Sequence, residues 1–284
     1  MAEKKLFYPG HSSCAGCPEM IAVRTILDVA GKNTIISIPT GCLEITTTPY
    51  PVTSWGVPCI HVAFETGASV ATGIASAVKA LNKDANVIVI AGDGATYDIG
   101  FQALSGMLER KNNVCYICLD NGAYMNTGIQ RSGATPYGAA TTTSPAGKKS
   151  FGNVTFKKPI VEIAAAHRIP YAASASIGFL PDLKAKLKKA LEKKPSFLNI
   201  DCPCPLGWRF ESSKTIDVAK MNADCGLTFL YEIEDGKFTL NREPSKKASE
   251  CVRMQGRFRH LTDDDIERIQ AYINNELKRY KELR

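Results

Sequence analysis

No apolar run in this 284-residue chain approaches the ~20 residues that a membrane-spanning helix needs, so no spanning helix and no membrane partner are expected. The start, Met1 to Leu6, has no apolar stretch of the signal-peptide kind, and a cytoplasmic setting is the expectation. No block of six basic residues occurs, although the formal net charge is +7. Scattered lysines and arginines argue against nucleic acid as a partner. A modest basic excess suits anionic substrates or an acidic protein partner equally well. No internal repeat divides the chain, and 284 residues can bury one substantial core.

The chain is organised around a stretch that begins at Val87. Val87–Ala91 is unbroken and apolar, as expected of a strand buried on both faces of a parallel sheet. Gly92 and Gly94 flank Asp93 where that strand ends, so backbone can approach a ligand closely. Asp98 to Arg110 reads as a helix with Ile99, Ala103, Leu104, Met107 and Leu108 on one stripe. Val114–Leu119 is a second apolar strand, followed by Asn121. Two parallel strands joined by a helix bring Asp93 and Asn121 together at the carboxyl edge of the sheet, where α/β folds bind ligands. One carboxylate and one amide oxygen there suit a Mg²⁺ that takes phosphate oxygens as its other ligands.

Elsewhere the pattern alternates. Cys14-Ala-Gly-Cys17-Pro-Glu opens a first helix that stops at Gly31, and Thr34–Ile38 is a short strand ending in Pro39-Thr40-Gly41-Cys42. Ile45 to Pro58 reads as loop, and Phe64 to Leu81 as an Ala-, Gly- and Ser-rich helix. Residues 131–158 form a long polar loop, of the length that is usually functional or disordered. Then follow helix Ile160–His167, strand Tyr171–Ser176, helix Pro181–Lys194 and strand Phe197–Ile200. This order predicts an α/β fold with a doubly wound, mostly parallel sheet over residues 1–204. Residues 205–284 read as an extension packed on it, with a helix to about Cys225, a hairpin at Asp235-Gly236 and a terminal helix from Asp263.

Ten cysteines in a cytosolic chain argue for metal or redox work rather than disulfides. Cys14 and Cys17, at a helix start, form a metal pair whose thiolates face amide dipoles. Cys115 and Cys118 share that spacing but sit mid-strand, where positions i and i+3 point to opposite faces, and are read as core thiols. Cys59 and Cys251 have no ligand-like companion. Cys42 ends a strand beside Gly41, at the same sheet edge as Asp93. A fourth ligand must come from Cys202, Cys204 or Cys225; Cys204, ending the last sheet strand before Pro205, is the choice, as cluster cysteines often precede proline.

Gly92-Asp93-Gly94 with Asn121 resembles the Mg²⁺–diphosphate motif of thiamine diphosphate enzymes. Cys14-x-x-Cys17, Pro39-Thr-Gly-Cys42, Gly92 to Gly100, Asp120 to Ser132, Cys204-Pro-Leu-Gly-Trp208 and Met254 to Arg259 extend the match nearly end to end. Together they resemble the beta subunit of pyruvate:ferredoxin oxidoreductase (pyruvate synthase). The resemblance implies thiamine diphosphate, Mg²⁺ and one [4Fe-4S] cluster on this chain, with coenzyme A as co-substrate. It implies Cys14, Cys17, Cys42 and Cys204 as cluster ligands, and Asp93, Asn121 and the carbonyl of Ala123 on Mg²⁺. Thr40, Gly41, Cys42, Gly92, Gly94, Ala95, Tyr124, Met125, Asn126 and Thr127 would surround the cofactor, and Asn126 would face the substrate.

In such enzymes an alpha subunit supplies the carboxylate that activates the aminopyrimidine ring; Glu65 is the nearest local candidate. Gamma and ferredoxin-like delta subunits, and a ferredoxin, are the further partners implied. Lys184–Lys194 and Lys246–Lys247 are candidate steering charges for an acidic carrier, although the first run also fits a solvated helix face. Leu206 stands where relatives often have Thr. Pyruvate is the favoured 2-oxoacid, with branched-chain 2-oxoacids, oxalate and either reaction direction left open. Two other readings remain at this point: a non-redox thiamine decarboxylase subunit with structural zinc, and a basic zinc-bearing nucleic-acid module.

Overall fold

A computed structural model of the protein describes residues 5–283; Met1–Lys4, on which part of the leaderless reading rests, lie outside that range. In chain order come α1 (Pro18–Ala30), β1 (Thr34–Pro39), α2 (Cys42–Thr47), β2 (Cys59–Val62), α3 (Gly67–Ala80) and β3 (Asn86–Gly92). A π-turn (Gly94–Asp98) leads into α4 (Phe101–Glu109), followed by β4 (Cys115–Asp120) and a two-residue ladder, β5 (Ala146–Gly147) with β6 (Ser150–Phe151). Next are α5 (Ile160–Ala166), β7 (Tyr171–Ser176), α6 (Leu180–Glu192), β8 (Ser196–Asp201) and α7 (Pro205–Trp208). The chain closes with α8 (Thr215–Asp224), the hairpin β9 (Leu230–Glu234) and β10 (Lys237–Arg242), α9 (Ala248–Val252) and α10 (Asp263–Glu282).

One eight-stranded sheet runs in the order β10-β9-β7-β8-β4-β3-β1-β2. Its six strands from β7 to β2 are parallel. The hairpin adds two antiparallel strands at the β7 edge. Strand alternation sorts the apolar side chains onto two faces. Ile88, Ile90, Cys115, Ile117, Leu198 and Ile200 join α1 and α6 in one core. Val87, Val89, Tyr116, Cys118 and Phe197 join α3, α4 and α5 in the other. Cys115 and Cys118 thus lie in opposite cores, as their spacing in a strand requires. With helices on both faces, the sheet is doubly wound.

Three departures from the expected elements sit close to the site. Cys42 starts α2 rather than ending a strand. The segment from Ile45, which its Thr- and Pro-rich composition marks as loop, is helical up to Thr47 although β-branched residues disfavour helix. Here the Thr46, Thr47 and Thr48 hydroxyls donate to carbonyls four residues back, at 2.7–2.9 Å. The four-residue edge strand β2, set directly after Pro58, is too short to read from periodicity. The helix read from Asp98 begins earlier, at Gly94 straight after Asp93, through a turn in which Ile99 N–H donates to Gly94 O. Such π-turns recur at functional sites.

Residues 131–158 are not a solvated loop. Ser132, Ala134, Thr135, Tyr137, Ala139 and Asn153 are buried. Asn153 Nδ2 ties the segment by donating to Thr135 O and Thr155 O, both at 2.8 Å. Tyr137 and Ala139 pack in a third core with Ala248, Val252, Phe258, Ile266, Ile269 and Ile273 from the C-terminal stretch. Much of the lysine-rich α6 is likewise spoken for. Lys186 is buried and donates to Ser174 O, while Lys189 and Lys193 pair with Glu232, Glu234 and Asp235 of the hairpin. No helix among the described residues is long and apolar enough to cross a membrane.

The end of α10 locks the C-terminal stretch to the sheet. Tyr280 packs on Phe229, Tyr231 and Phe238 and donates to Glu162 Oε1 at 3.0 Å. Tyr280→Ala is expected to destabilise the whole chain by about 3–5 kcal/mol in a single cooperative urea transition. The exposed neighbour substitution Leu283→Ala should cost below about 0.5 kcal/mol. A separate early transition in Tyr280→Ala, leaving the sheet intact, would show that the C-terminal stretch folds independently.

Candidate functional site

Parallel pairing sets the carboxyl ends of β1, β3 and β4 side by side. A cleft of about 230 Å³ opens there, walled by the turn after β1 (Pro39, Thr40, Gly41, Cys42, Leu43), the turn after β3 (Gly92, Asp93, Gly94) and the segment after β4 (Asn121 and Ala123 to Thr127). Phe64, Ile90 and Leu119 supply apolar lining. Asp93 and Asn121 therefore share one cleft, as their spacing predicts, and Cys42 shares it with them.

Asp93 is buried, and Ser132 Oγ donates to its Oδ2. Burial, then the charge of Asp120, pushes its carboxyl well above the ordinary range in the absence of a cation. Asp120 is itself held by Lys157, Tyr97 O–H and Asn199 Nδ2. Asn121 donates from Nδ2 to Glu19 Oε1 at 3.1 Å and accepts at Oδ1 from Ala123 N–H at 3.3 Å. Its main-chain carbonyl accepts from Trp208 Nε1 at 2.6 Å. A Cβ on Gly92 would meet no protein atom within 4 Å, so the backbone there is open to a ligand. A Cβ on Gly94 would lie 2.3 Å from the Tyr124 ring, so that turn needs glycine for closeness. A buried carboxylate, an amide oxygen and open glycine backbone fit Mg²⁺ and a diphosphate.

The cysteines divide clearly. Cys17 caps α1, where the amides of Glu19 and Met20 favour its thiolate, yet burial outweighs them and pushes the thiol up to about 12. Cys42 is raised by burial and by the charges of Glu19, Cys204, Cys17 and Cys14. Cys204 caps α7 and accepts from Gly207 N–H at 3.4 Å. The charges of Cys14, Cys17 and Cys204 all act on Cys42, that of Cys204 acts on Cys17, and that of Cys14 acts on Cys204. Among the described residues, no three His, Cys, Asp or Glu side chains close on a single ion. A thiolate-held cluster, with one ligand at each iron, takes separated thiols, and the set fits that. Cys202 is buried in the apolar core under α1 and α6. Cys225 is hydrogen-bonded with Cys251, whose Sγ in turn meets Asn222 Oδ1 at 2.8 Å. Cys202, although the charges of Glu19 and Cys17 reach it, is fully enclosed in that core, and Cys225 is engaged by Cys251.

Of the residues expected around a cofactor, only Ala95 fails to line the cleft; it is buried in the π-turn. Asn126 and Thr127 are exposed at the rim. Glu65 is exposed and lies outside the cleft wall. Sequence reasoning missed Glu19, although it follows the Cys-x-x-Cys-Pro run directly. It missed Ser132 because a polar loop gave no reason to place one hydroxyl against Asp93. Glu19 is 4 % exposed, and burial pushes its carboxyl up to about 7.

The fold and site define a thiamine diphosphate-type carboxyl-edge site, and residues 39–200 match the family model "Thiamine pyrophosphate enzyme, C-terminal TPP binding domain". The chain is 52% identical over 286 residues to pyruvate synthase subunit PorB of Methanocaldococcus jannaschii, covering 97% of this chain and 96% of that one. It is 43% identical over 288 residues to ketoisovalerate oxidoreductase subunit VorB of Pyrococcus abyssi, covering 98% and 93%. Among solved structures, 2-oxoglutarate:ferredoxin oxidoreductase from Magnetococcus marinus, with 2-oxoglutarate, coenzyme A and succinyl-CoA bound, shares the fold. That match has a TM-score of 0.61 at 21% identity and covers 78% of this chain and 81% of that one. The chain belongs to the beta-subunit family of pyruvate:ferredoxin oxidoreductase (pyruvate synthase).

The raised Glu19 carboxyl sets a pH dependence. Its folded pKa, about 7, lies above the ordinary 4.5. Between those values the unfolded chain has lost a proton that the folded chain keeps, so stability is full below 4.5 and falls as pH rises through 7. The loss from this one group is about 3 kcal/mol. In urea unfolding of the metal-free chain, Glu19→Gln should remove that part of the slope; an unchanged slope would contradict the assignment.

Proposed function

We propose that this chain is the thiamine diphosphate- and cluster-bearing subunit of an enzyme converting pyruvate and coenzyme A to acetyl-CoA and CO₂, or running the reverse synthesis. The observation that carries the reading is the meeting of two donor sets at one sheet edge. Asp93 and Asn121 share a cleft with Cys42, and Cys42 lies in electrostatic reach of Cys14, Cys17 and Cys204. When bound, thiamine diphosphate supplies the carbon chemistry of 2-oxoacid decarboxylation, and a [4Fe-4S] cluster beside it accepts electrons singly.

The chain's own residues would serve these groups as follows. Asp93 and Asn121 side-chain oxygens and the Ala123 carbonyl would hold Mg²⁺, with Ser132 fixing Asp93. Gly92 would let the diphosphate approach the main chain, while Gly94 lets the Tyr124 ring close on the turn. Cys14, Cys17, Cys42 and Cys204 would hold the cluster, and loading must displace protons from thiols that burial keeps protonated. Leu43, Phe64, Ile90 and Leu119 exclude water from the reacting face. Asn126, at the rim, would donate its amide hydrogen to the substrate carbonyl oxygen as charge builds on it.

Among the described residues the cleft wall holds two carboxylates, Asp93, assigned here to Mg²⁺, and Glu19, whose Oε1 is taken by Asn121. An alpha subunit would therefore complete the site, and gamma and ferredoxin-like delta subunits would carry electrons on to ferredoxin. Ten unpaired cysteines fit a reducing, cytoplasmic setting. A branched-chain 2-oxoacid is the second reading, favoured by the 43% identity to VorB.

Anaerobically co-purified enzyme, assayed over a 2-oxoacid panel, should reduce ferredoxin with coenzyme A most efficiently on pyruvate. A higher kcat/KM on branched-chain acids would move the assignment to the second reading, and no turnover on any would overturn both. The isolated chain, reconstituted alone, should be inactive. Asn126→Ala should keep cofactor and iron while losing about 10²–10³ in kcat. Cys204→Ala should lose bound iron while Cys225→Ala keeps it; iron lost only in Cys225→Ala would remove Cys204 from the ligand set.

A further inference from the structure

Glu19 is the second residue of α1 and lies two positions after Cys17, yet its carboxylate reaches Asn121, on the segment after β4. Oε1 accepts from Asn121 Nδ2 at 3.1 Å, and Oε2 is buried with no hydrogen-bond partner. A carboxylate oxygen left unpaired in a fold is costly, of order 1–3 kcal/mol, and calls for a reason. An apolar residue of similar size would pack α1 against this edge without that cost.

Asn121 supplies the reason. An amide is planar, with its oxygen and its NH₂ on opposite branches, so fixing one branch fixes the other. Ala123 N–H donates to Oδ1 and Glu19 accepts from Nδ2, and both contacts demand the same orientation. Trp208 holds the main-chain carbonyl of Asn121 and limits movement of the backbone beneath it. Without Glu19, only the 3.3 Å contact from Ala123 N–H would oppose half a turn about the terminal torsion, which exchanges oxygen for NH₂ and presents a cation with hydrogens.

We propose that Glu19 is a positioning residue that locks the Asn121 amide with its oxygen available to Mg²⁺, tying the cysteine-bearing start of α1 to the diphosphate end of the cleft. The inference rests on Asn121 being a metal ligand. Partners that orient metal ligands typically contribute 10–100-fold in metal affinity. Glu19→Gln keeps an oxygen acceptor at the right reach; Glu19→Ala removes it; Glu19→Asp withdraws it by one methylene.

The test uses the assembled enzyme, freed of thiamine diphosphate and Mg²⁺ by chelation and dialysis. Mg²⁺ is titrated at fixed thiamine diphosphate, and bound cofactor is measured by equilibrium dialysis, with iron content as the check on the cluster. Glu19→Ala and Glu19→Asp should raise the Mg²⁺ needed for half-occupancy by about 10–100-fold with iron retained, while Glu19→Gln stays close to wild type. Adding Glu19→Ala to Asn121→Ala should cost nothing further, since the two act as one unit. Should Glu19→Ala fail to fold, Glu19→Asp and Glu19→Gln still decide. An unshifted Asn121→Ala would sink the metal-ligand reading itself. A shifted Asn121→Ala with unshifted Glu19→Ala and Glu19→Asp would overturn only the role given to Glu19, as would a Glu19→Gln variant no better than Glu19→Asp.

Discussion

Parallel pairing of β3 with β1 on one side and β4 on the other is the interaction on which the rest depends. Ile36 aligns with Ile88, and Ile88 with Cys115, so three strands end at nearly one level. Each is followed at once by a turn that lines the cleft: Thr40 to Cys42, Asp93 to Gly94, and Asn121 to Ala123. A one-residue slip of β3 would exchange its two faces, burying Val87 and Val89 where Ile88 and Ile90 belong. Two apolar cores, each complete only in this register, guard against that. Site geometry is thus inherited from hydrophobic packing well below it.

Beneath the cleft the chain tolerates an unusual density of buried charge. Asp93, Asp120 and Asp201 all lie at the carboxyl ends of adjacent strands. Burial pushes the Asp201 carboxyl up to about 6, with Lys157 pulling it back. Arg257 also pulls it down, its guanidinium 3.6 Å from the Trp208 ring centre and donating to Gln255 Oε1. Lys157 belongs to the long segment 131–158, and Arg257 to the C-terminal stretch. Those two regions are needed to balance charge under the site, which explains why they are buried rather than draped over it. Removing either cation would leave buried carboxylates uncompensated, the costly half of a broken pair.

Much of this was legible in the sequence, for physical reasons. Long apolar runs such as Val87–Ala91 and Val114–Leu119 announce buried parallel strands, and turn chemistry then fixes what stands at their ends. Cys115 and Cys118 could be set aside because strand alternation sends them to opposite faces. What escaped was set by tertiary contact. Helix α2 forms against the propensity of its threonines, β2 is too short to show a period, and segment 131–158 looks polar because its polar groups bond inward. Glu19 and Ser132 were invisible as site residues for a related reason: a single acid or hydroxyl gains meaning only from the partner the fold brings to it.

The central claim is that one sheet edge places a diphosphate-bound divalent ion beside an iron–sulfur cluster. Replacing Mg²⁺ with paramagnetic Mn²⁺, which suits the same hard oxygen ligands, and reducing the cluster in the anaerobic complex makes that adjacency measurable by electron paramagnetic resonance. The account predicts a magnetic interaction between the two centres that disappears in Asp93→Ala and in Cys204→Ala. Unperturbed spectra from both centres in fully loaded enzyme would contradict it.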